Sequence, residues 1–203
     1  MIHQKRRTET EKKIVDAMRE QLAENGFRQI GINAIARRAN VSKELIYRYF
    51  GSIEAVLERL MREQDFWPSL GLLNKISDEG NEHTPVANMV VRQGQYLRED
   101  CVLREIRNWE LVDKNEVTAK LAEERESASL QFLKDRNIDP EGEKTPQIAL
   151  LLAGMLYLTM RSNTADSFMG ISLNSEKGWG RINDAVRRSA KQLFDDGNSE
   201  GKD

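Results

Sequence analysis

Between Ile148 and Met160 the sequence reads Ile-Ala-Leu-Leu-Leu-Ala-Gly-Met-Leu-Tyr-Leu-Thr-Met, a helix-forming run that is apolar on every side. Thr145-Pro146 ahead of it pairs a capping residue with a proline at the first helical position. The whole charge-free stretch, Pro146 to Met160, falls short of the roughly 20 apolar residues that a membrane span needs. A helix apolar all round must be covered all round. In a chain of 203 residues the solution is the chain's own core on one side and a second copy on the other. Ala149, Ala153 and Gly154 would allow that copy to approach closely. A last helical pattern from about Ser175 puts Trp179, Ile182, Val186, Ala190 and Leu193 on one stripe. The expected homodimer contact is therefore built from the helices around 146–161 and 175–194.

The rest of the chain also reads as helix, giving an all-α fold of about nine helices. Four prolines and few runs of β-branched residues agree with that. Thr8-Glu9-Thr10-Glu11 has the spacing of a capping box, so a first helix is expected to start there and to end at Asn25-Gly26 in a left-handed cap. Ile14, Met18 and Leu22 form its inner face, and Lys5, Arg6 and Arg7 precede it as a flexible basic arm. Ile32, Ile35, Ala36 and Ala39 mark a short second helix, and Asn40-Val41 turn the chain into a third. Ser42 caps that third helix. Leu45, Ile46, Tyr49 and Phe50 supply its inner face, leaving Lys43, Glu44, Tyr47 and Arg48 outside. Two short helices joined by a tight turn, the second with a polar outer face, make a helix-turn-helix. The amino end of the third helix also offers unpaired amides and a positive dipole to a phosphate.

Charge supports that reading. Residues 1–51 carry 11 Lys and Arg against 6 Asp and Glu, whereas the remainder carries 20 against 27. A basic head on an acidic body suits a head that meets phosphates. Gly26-Phe27, Ile35-Ala36, Ala39-Asn40-Val41-Ser42, Ile46-Tyr47-Arg48-Tyr49-Phe50 and Ser52-Ile53-Glu54-Ala55-Val56 together resemble the signature of the TetR family of bacterial transcriptional regulators. The resemblance covers about residues 10 to 60. It implies an all-helical dimer with a three-helix DNA-binding head and a larger, divergent body that binds a small molecule. The division implied is residues 1–51 for DNA binding, 52–196 for ligand binding and dimerisation, and a disordered tail at 197–203. The partner would be a palindromic operator in double-stranded DNA, in the cytoplasm and on the nucleoid.

Lys5, Arg6, Arg7, Asn33, Ser42, Lys43, Glu44, Leu45, Tyr47, Arg48 and Tyr49 are then the candidate DNA contacts. Lys43 and Tyr47 would hold phosphates, while Arg48 and Glu44 would face the groove, arginine toward guanine and glutamate toward the amino group of cytosine. Tyr49 could point either way. Three departures stand out against the family's habit. Gly31 replaces a threonine at the start of the second helix, Glu44-Leu45 replaces a small pair in the recognition helix, and Ile53 replaces a lysine after the capping Ser52. Two customary phosphate anchors are thereby lost. The fourth helix, from Ser52 through Val56, Leu57, Leu60 and Met61 to Phe66-Trp67 and Pro68, leads from head to body and is the expected lever.

In the body, Ser69 to His83 reads as a loop, and helices are expected from Thr84-Pro85 to about Glu99, over Val102–Trp109 and over 113–136. Ser162 to Asn174 reads as a mobile connection. Met89, Gln93, Tyr96, Trp109, Phe132, Met155, Tyr157 and Met160 are the candidate ligand contacts, a deformable set for an apolar or aromatic effector. Enzyme chemistry has little to stand on. His3 and His83 are the only histidines, Cys101 the only cysteine, and no nucleophile, zinc or phosphate-loop pattern occurs, so no metal or cofactor is expected. Met1 to Lys13 is basic and then polar with no apolar run behind it, which argues against a signal peptide. The expected function is a ligand-responsive repressor. The alternative is a DNA-binding adaptor or DNA-organising protein of the same fold that senses no small molecule.

Overall fold

The apolar face of the first helix is built as its spacing demands. Ile14, Met18 and Leu22 are fully buried, with Val15 and Ala17 beside them. The computed structural model describes residues 2–63 and 83–195, and of residues 2, 3, 63, 83 and 84 only the backbone. The expected end of the fourth helix at Gln64–Pro68, the loop from Ser69 and the tail at 197–203 lie outside the described residues. Among those described, nine α-helices and one short hairpin divide between two compact units: Met1–Trp67 with Cys101–Ala122, and Pro68–Asp100 with Glu123–Asp203.

The first unit contains α1 (Ile2–Asn25), a 3-10 turn (Phe27–Gln29), α2 (Ile32–Ala39), α3 (Lys43–Phe50), α4 (Ile53–Glu63) and α6 (Cys101–Val112). Helix α1 starts at Ile2, not at Thr8. The Thr8 hydroxyl donates to the Gln4 carbonyl at 3.1 Å and Thr10 donates to the Arg6 carbonyl at 2.9 Å. Glu11 is held by Arg7 at 2.7 Å, one turn back. The capping box therefore does not form, because each of its groups finds a partner one turn earlier, and the basic arm is helix. At the other end Gly26 has the positive φ expected of a cap, 70°, but an extended ψ of 174° rather than a left-handed one. A side chain there would run into the Glu105 carboxylate, which also accepts from the Phe27 amide at 3.4 Å.

The core of this unit joins α1 to Ile35, Ala36 and Ala39 of α2, Ile46 of α3, Val56, Leu57 and Leu60 of α4, and Val102 and Ile106 of α6. Val117 and Leu121 complete it from the start of α7 (Glu116–Lys134), within which the division between the units falls. Trp109 of α6 stacks on Phe27 with ring centroids 6.0 Å apart. Nothing in the spacing of residues 101–122 marks them as partners of a segment some 80 residues earlier.

The second unit packs α5 (His83–Glu99) against α8 (Lys144–Arg161) and α9 (Glu176–Asp195). Val86, Val90, Phe132, Leu133, Ile148, Met155, Trp179, Ile182 and Val186 lie in its core. Thr145 does not cap α8: its hydroxyl donates to the Asp139 carbonyl at 2.7 Å, and the helix begins one residue earlier. The connection expected to be mobile is instead ordered. Ser167–Phe168 (β1) pairs antiparallel with Ile171–Ser172 (β2) across a Met169-Gly170 turn, both turn residues having positive φ. The hairpin is anchored by the Trp179 indole, which donates to the Leu173 carbonyl at 2.8 Å.

Two glycines near the start of α9 should respond oppositely to alanine. A Cβ on Gly178 would fall on the Ser172 carbonyl oxygen, a backbone atom that cannot move aside, whereas one on Gly180 meets nothing within 4 Å. Urea unfolding should show Gly178→Ala losing about 1–3 kcal/mol or more, and Gly180→Ala gaining about 0.5–1 kcal/mol. Equal shifts for the two would contradict the packing of α9 on the hairpin.

Candidate nucleic-acid interface

The turn between α2 and α3 is set by one residue in an unusual conformation. Asn40 lies in the left-handed region at φ 54°, ψ 48°. Its amide returns to α2, and the Val41 amide donates to the Ala36 carbonyl at 3.0 Å. That closes the carboxyl end of α2 and redirects the chain within three residues. Ser42 is extended and its hydroxyl accepts from the Leu45 amide at 3.2 Å, so α3 starts at Lys43 as expected. Ile46 is fully buried, and Tyr49 and Phe50 pack half-buried against the core. Lys43, Glu44, Tyr47 and Arg48 are exposed, which is the division the sequence predicts. Asn33 is exposed on α2, Leu45 is half-buried, and Lys5, Arg6 and Arg7 are exposed on the first turns of α1.

The amino end of α3 is less open to an anion than its position suggests. Hydrogen bonds from its own backbone amide and from the Ser42 hydroxyl hold the Glu44 carboxyl below its usual range. An ionised carboxylate thus already occupies the positive end of the helix. The other two departures from the family pattern also have a structural reading. Gly31 caps α2 with no side-chain hydrogen bond, and Ile53 is half-buried against the core where a lysine would stand in solvent.

Positive charge concentrates instead at the far end of α3. The guanidinium of Arg48 lies 5.4 Å from the Tyr49 ring centroid, and that of Arg7, from α1, lies 5.2 Å from the same centroid. The Glu11 hydrogen bond, then its charge and a smaller contribution from Tyr49, raise the Arg7 pKa further. A separate ion pair braces the head: Arg38 of α2 bonds Glu20 and Glu24 of α1, and this hydrogen bond lowers the Glu24 pKa.

The candidate ligand contacts do not all fall together. Met89, Phe132 and Met155 are buried in the core of the second unit, and Gln93, Tyr96 and Met160 are half-buried there. Tyr157 is 52% exposed on the outer face of α8 beside Leu150 at 72%, its ring edge-on to Phe168. Trp109 belongs to the first unit, where its indole donates to Asp113 at 2.9 Å. Polar atoms buried in the second unit without a hydrogen-bond partner among the described residues include Arg92 Nε, Thr159 Oγ1 and Asn183 Oδ1. An open depression of about 390 Å³ lies elsewhere, lined by Leu111, Val112, Thr118, Ala119 and Ala122. Among the described residues no cluster of His, Cys, Asp and Glu could hold a metal, and no helix is long and apolar enough to cross a membrane.

Residues 14–60 match the family described as bacterial regulatory proteins, tetR family. The A-factor receptor protein of Streptomyces griseus is 28% identical over an alignment of 189 positions that covers 89% of this chain and 60% of that protein. The chain thus spans less than two thirds of that relative's length. Solved structures share the fold, two of them as follows. The transcriptional regulator FadR from Bacillus subtilis, in complex with stearoyl-CoA, has a TM-score of 0.60 at 19% identity, covering 89% of this chain and 96% of that one. A TetR transcriptional regulator from Rhodococcus sp. RHA1 has a TM-score of 0.57 at 17% identity, covering 92% and 97%.

Two caps can be tested by thermal or urea unfolding. Gly31 has an extended backbone, φ −164°, and a Cβ there would meet nothing within 4 Å, so Gly31→Ser should gain about 0.5 kcal/mol from the missing cap and reduced unfolded-chain entropy. Ser42→Ala should lose about 1 kcal/mol. Acid should also weaken the α1–α2 brace. Because the Glu24 pKa is lowered on folding, its contribution is present above the unfolded value of about 4.3 and is lost as pH falls through the depressed folded value. Glu24→Gln should flatten that part of the pH–stability curve, and an unchanged curve would show the pair to be inert.

Proposed function

We propose that this chain, whose residues 14–60 match the tetR family of bacterial regulatory proteins, is a homodimeric, ligand-responsive repressor that leaves a palindromic operator when a small apolar or aromatic effector binds. The observation that carries this reading is α3: an eight-residue helix capped at Ser42, fixed to the head by buried Ile46, with Lys43, Glu44, Tyr47 and Arg48 exposed along its free side. A helix presented in this way fits the major groove. Lys43 and Tyr47 hold backbone, and Glu44 with Asn33 reads bases. Residues 1–51 are the DNA-binding part and residues 52–196 the sensing and dimerising part.

Dimerisation uses α8 and α9. Leu150, Ala153, Gly154 and Tyr157 form an exposed apolar stripe on α8, and a side chain on Gly154 would meet nothing within 4 Å. Pairing two copies there covers the half of the helix that the chain's own core leaves bare. The two recognition helices then have to stand about 34–36 Å apart to enter successive major grooves. The effector site is assigned to α5 and α8, where Met89, Gln93, Tyr96, Met155 and Met160 supply apolar and aromatic surface and Arg92 and Thr159 supply unused polar atoms. The stearoyl-CoA held by FadR and the receptor role named for the A-factor protein support a sensing function. The effector acts by favouring a form of the dimer whose recognition helices no longer match the operator, the fourth helix serving as lever, and its effect on affinity cannot exceed its preference for that form.

Selection of binding sites from random duplexes, repeated with candidate effectors, tests the reading. The expected result is a two-fold symmetric site whose occupancy falls with effector. Symmetric sites insensitive to every small molecule would favour the adaptor instead, and no enrichment would end both. Sedimentation at micromolar concentration should give a dimer, and Leu150→Glu a monomer with an unchanged helical spectrum.

A further inference from the structure

Three aromatic or cationic side chains gather where α1 passes the carboxyl end of α3. Tyr49 is half-buried against the head core, so its ring is held by packing rather than free to turn. Arg48 and Arg7 both lie within cation–π range of that ring, at 5.4 and 5.2 Å. The Arg7 side chain is 56% exposed, whereas that of its ion-pair partner Glu11 is 25% exposed. The Arg7 end of the pair therefore faces solvent, where a phosphate can reach it. Meanwhile the places where backbone anchors would be expected are spent: Gly31 has no side chain, Ile53 is half-buried against the core, and the Glu44 carboxylate occupies the amino end of α3.

We propose that Arg7, Arg48 and Tyr49 form a single phosphate clamp, in which Tyr49 is a positioning residue whose ring holds both guanidiniums on one stretch of DNA backbone. The proposal rests on the DNA-binding reading above and departs from the sequence-based expectation in one assignment: Arg48 grips backbone and does not read a base. Its guanidinium is drawn toward the Tyr49 ring and so toward α1. The ring does what a longer side chain could not. It fixes the separation of two long, flexible cations before DNA arrives, so less side-chain freedom is lost on binding. It also joins the first turns of α1 to the recognition helix, which makes the basic segment part of the reading head. The ligand is a non-bridging phosphate oxygen pair of double-stranded DNA, and the contact carries no sequence information.

The test is a double-mutant cycle on DNA affinity as a function of salt, using the best duplex from site selection together with a panel of single-base variants of it. Arg7→Ala and Arg48→Ala should each lower the slope of log K against log salt by about 1 and weaken all duplexes alike. Tyr49→Leu, which keeps apolar packing, should weaken binding by about five-fold or more, because two long side chains that the ring had held are then ordered only on binding. In the Tyr49→Leu background the two arginine substitutions should cost much less than in the wild type. Tyr49→Phe, which keeps the ring, should bind within about two-fold of wild type. Melting curves of each variant separate loss of fold from loss of contact, and the Arg7/Arg48 cycle, at exposed positions, stands even if Tyr49→Leu is unstable. The clamp is overturned if Arg7 and Arg48 contribute independently, if Tyr49→Phe weakens binding as much as Tyr49→Leu, or if Arg48→Ala relaxes preference at one base position. Wild-type protein that binds no duplex would instead remove the DNA-binding reading itself.

Discussion

Everything in the first unit depends on burying one face of α1. Ile14, Met18 and Leu22 give a continuous apolar strip, and α2, α4 and α6 each pack on that helix. Short helices such as α2 and α3, at eight residues each, have little stability by themselves and persist because they are packed. The left-handed Asn40 and the Ser42 cap then decide the angle at which α3 leaves that platform. A polar helix face is aimed at solvent by a purely apolar contact beneath it, Ile46 on the core.

The electrostatics of the head follow from what that packing leaves over. Arg38 is committed to Glu20 and Glu24, and so braces α2 on α1 rather than waiting for DNA. Glu44, bonded to its own amide and to the Ser42 hydroxyl, places a negative charge at the amino end of α3. Along α3, the cations placed to meet an anion are Lys43 at one end and Arg48, with Arg7 beside it, at the other, separated by the exposed Tyr47. This spacing puts most of the positive charge at the carboxyl end of the helix, away from the capped end.

Much of the head was legible because its signals are local. Caps at Ser42 and Ser52, the turn at Asn40 and the alternation of buried Ile46 with exposed Tyr47 and Arg48 are all fixed by residues within a few positions of one another. What the sequence hid is of two kinds. The capping box at Thr8 is a true pattern, yet the helix runs through it because hydroxyls and carboxylate find partners a turn earlier. The stacking of Trp109 on Phe27 depends on a contact between residues 82 positions apart, and no periodicity encodes that. For the same reason the ligand candidates were chosen by residue type, and the fold separates them: Trp109 goes to the first unit, Tyr157 to the surface of α8, and Thr159 gains interest only once its burial is known. The hairpin at Phe168 was masked by its brevity, two residues per strand with Met-Gly rather than Asn-Gly at the turn.

The account stands or falls on whether α3 enters the major groove. Methylation interference on a bound duplex measures this directly, since dimethyl sulfate modifies guanine N7 in the major groove and adenine N3 in the minor groove. Interference at guanine N7 in two patches about one helical turn apart, roughly 10–10.5 base pairs from centre to centre, or a multiple of that, is the predicted result. Interference confined to adenine N3, or spread evenly along the duplex, would contradict it.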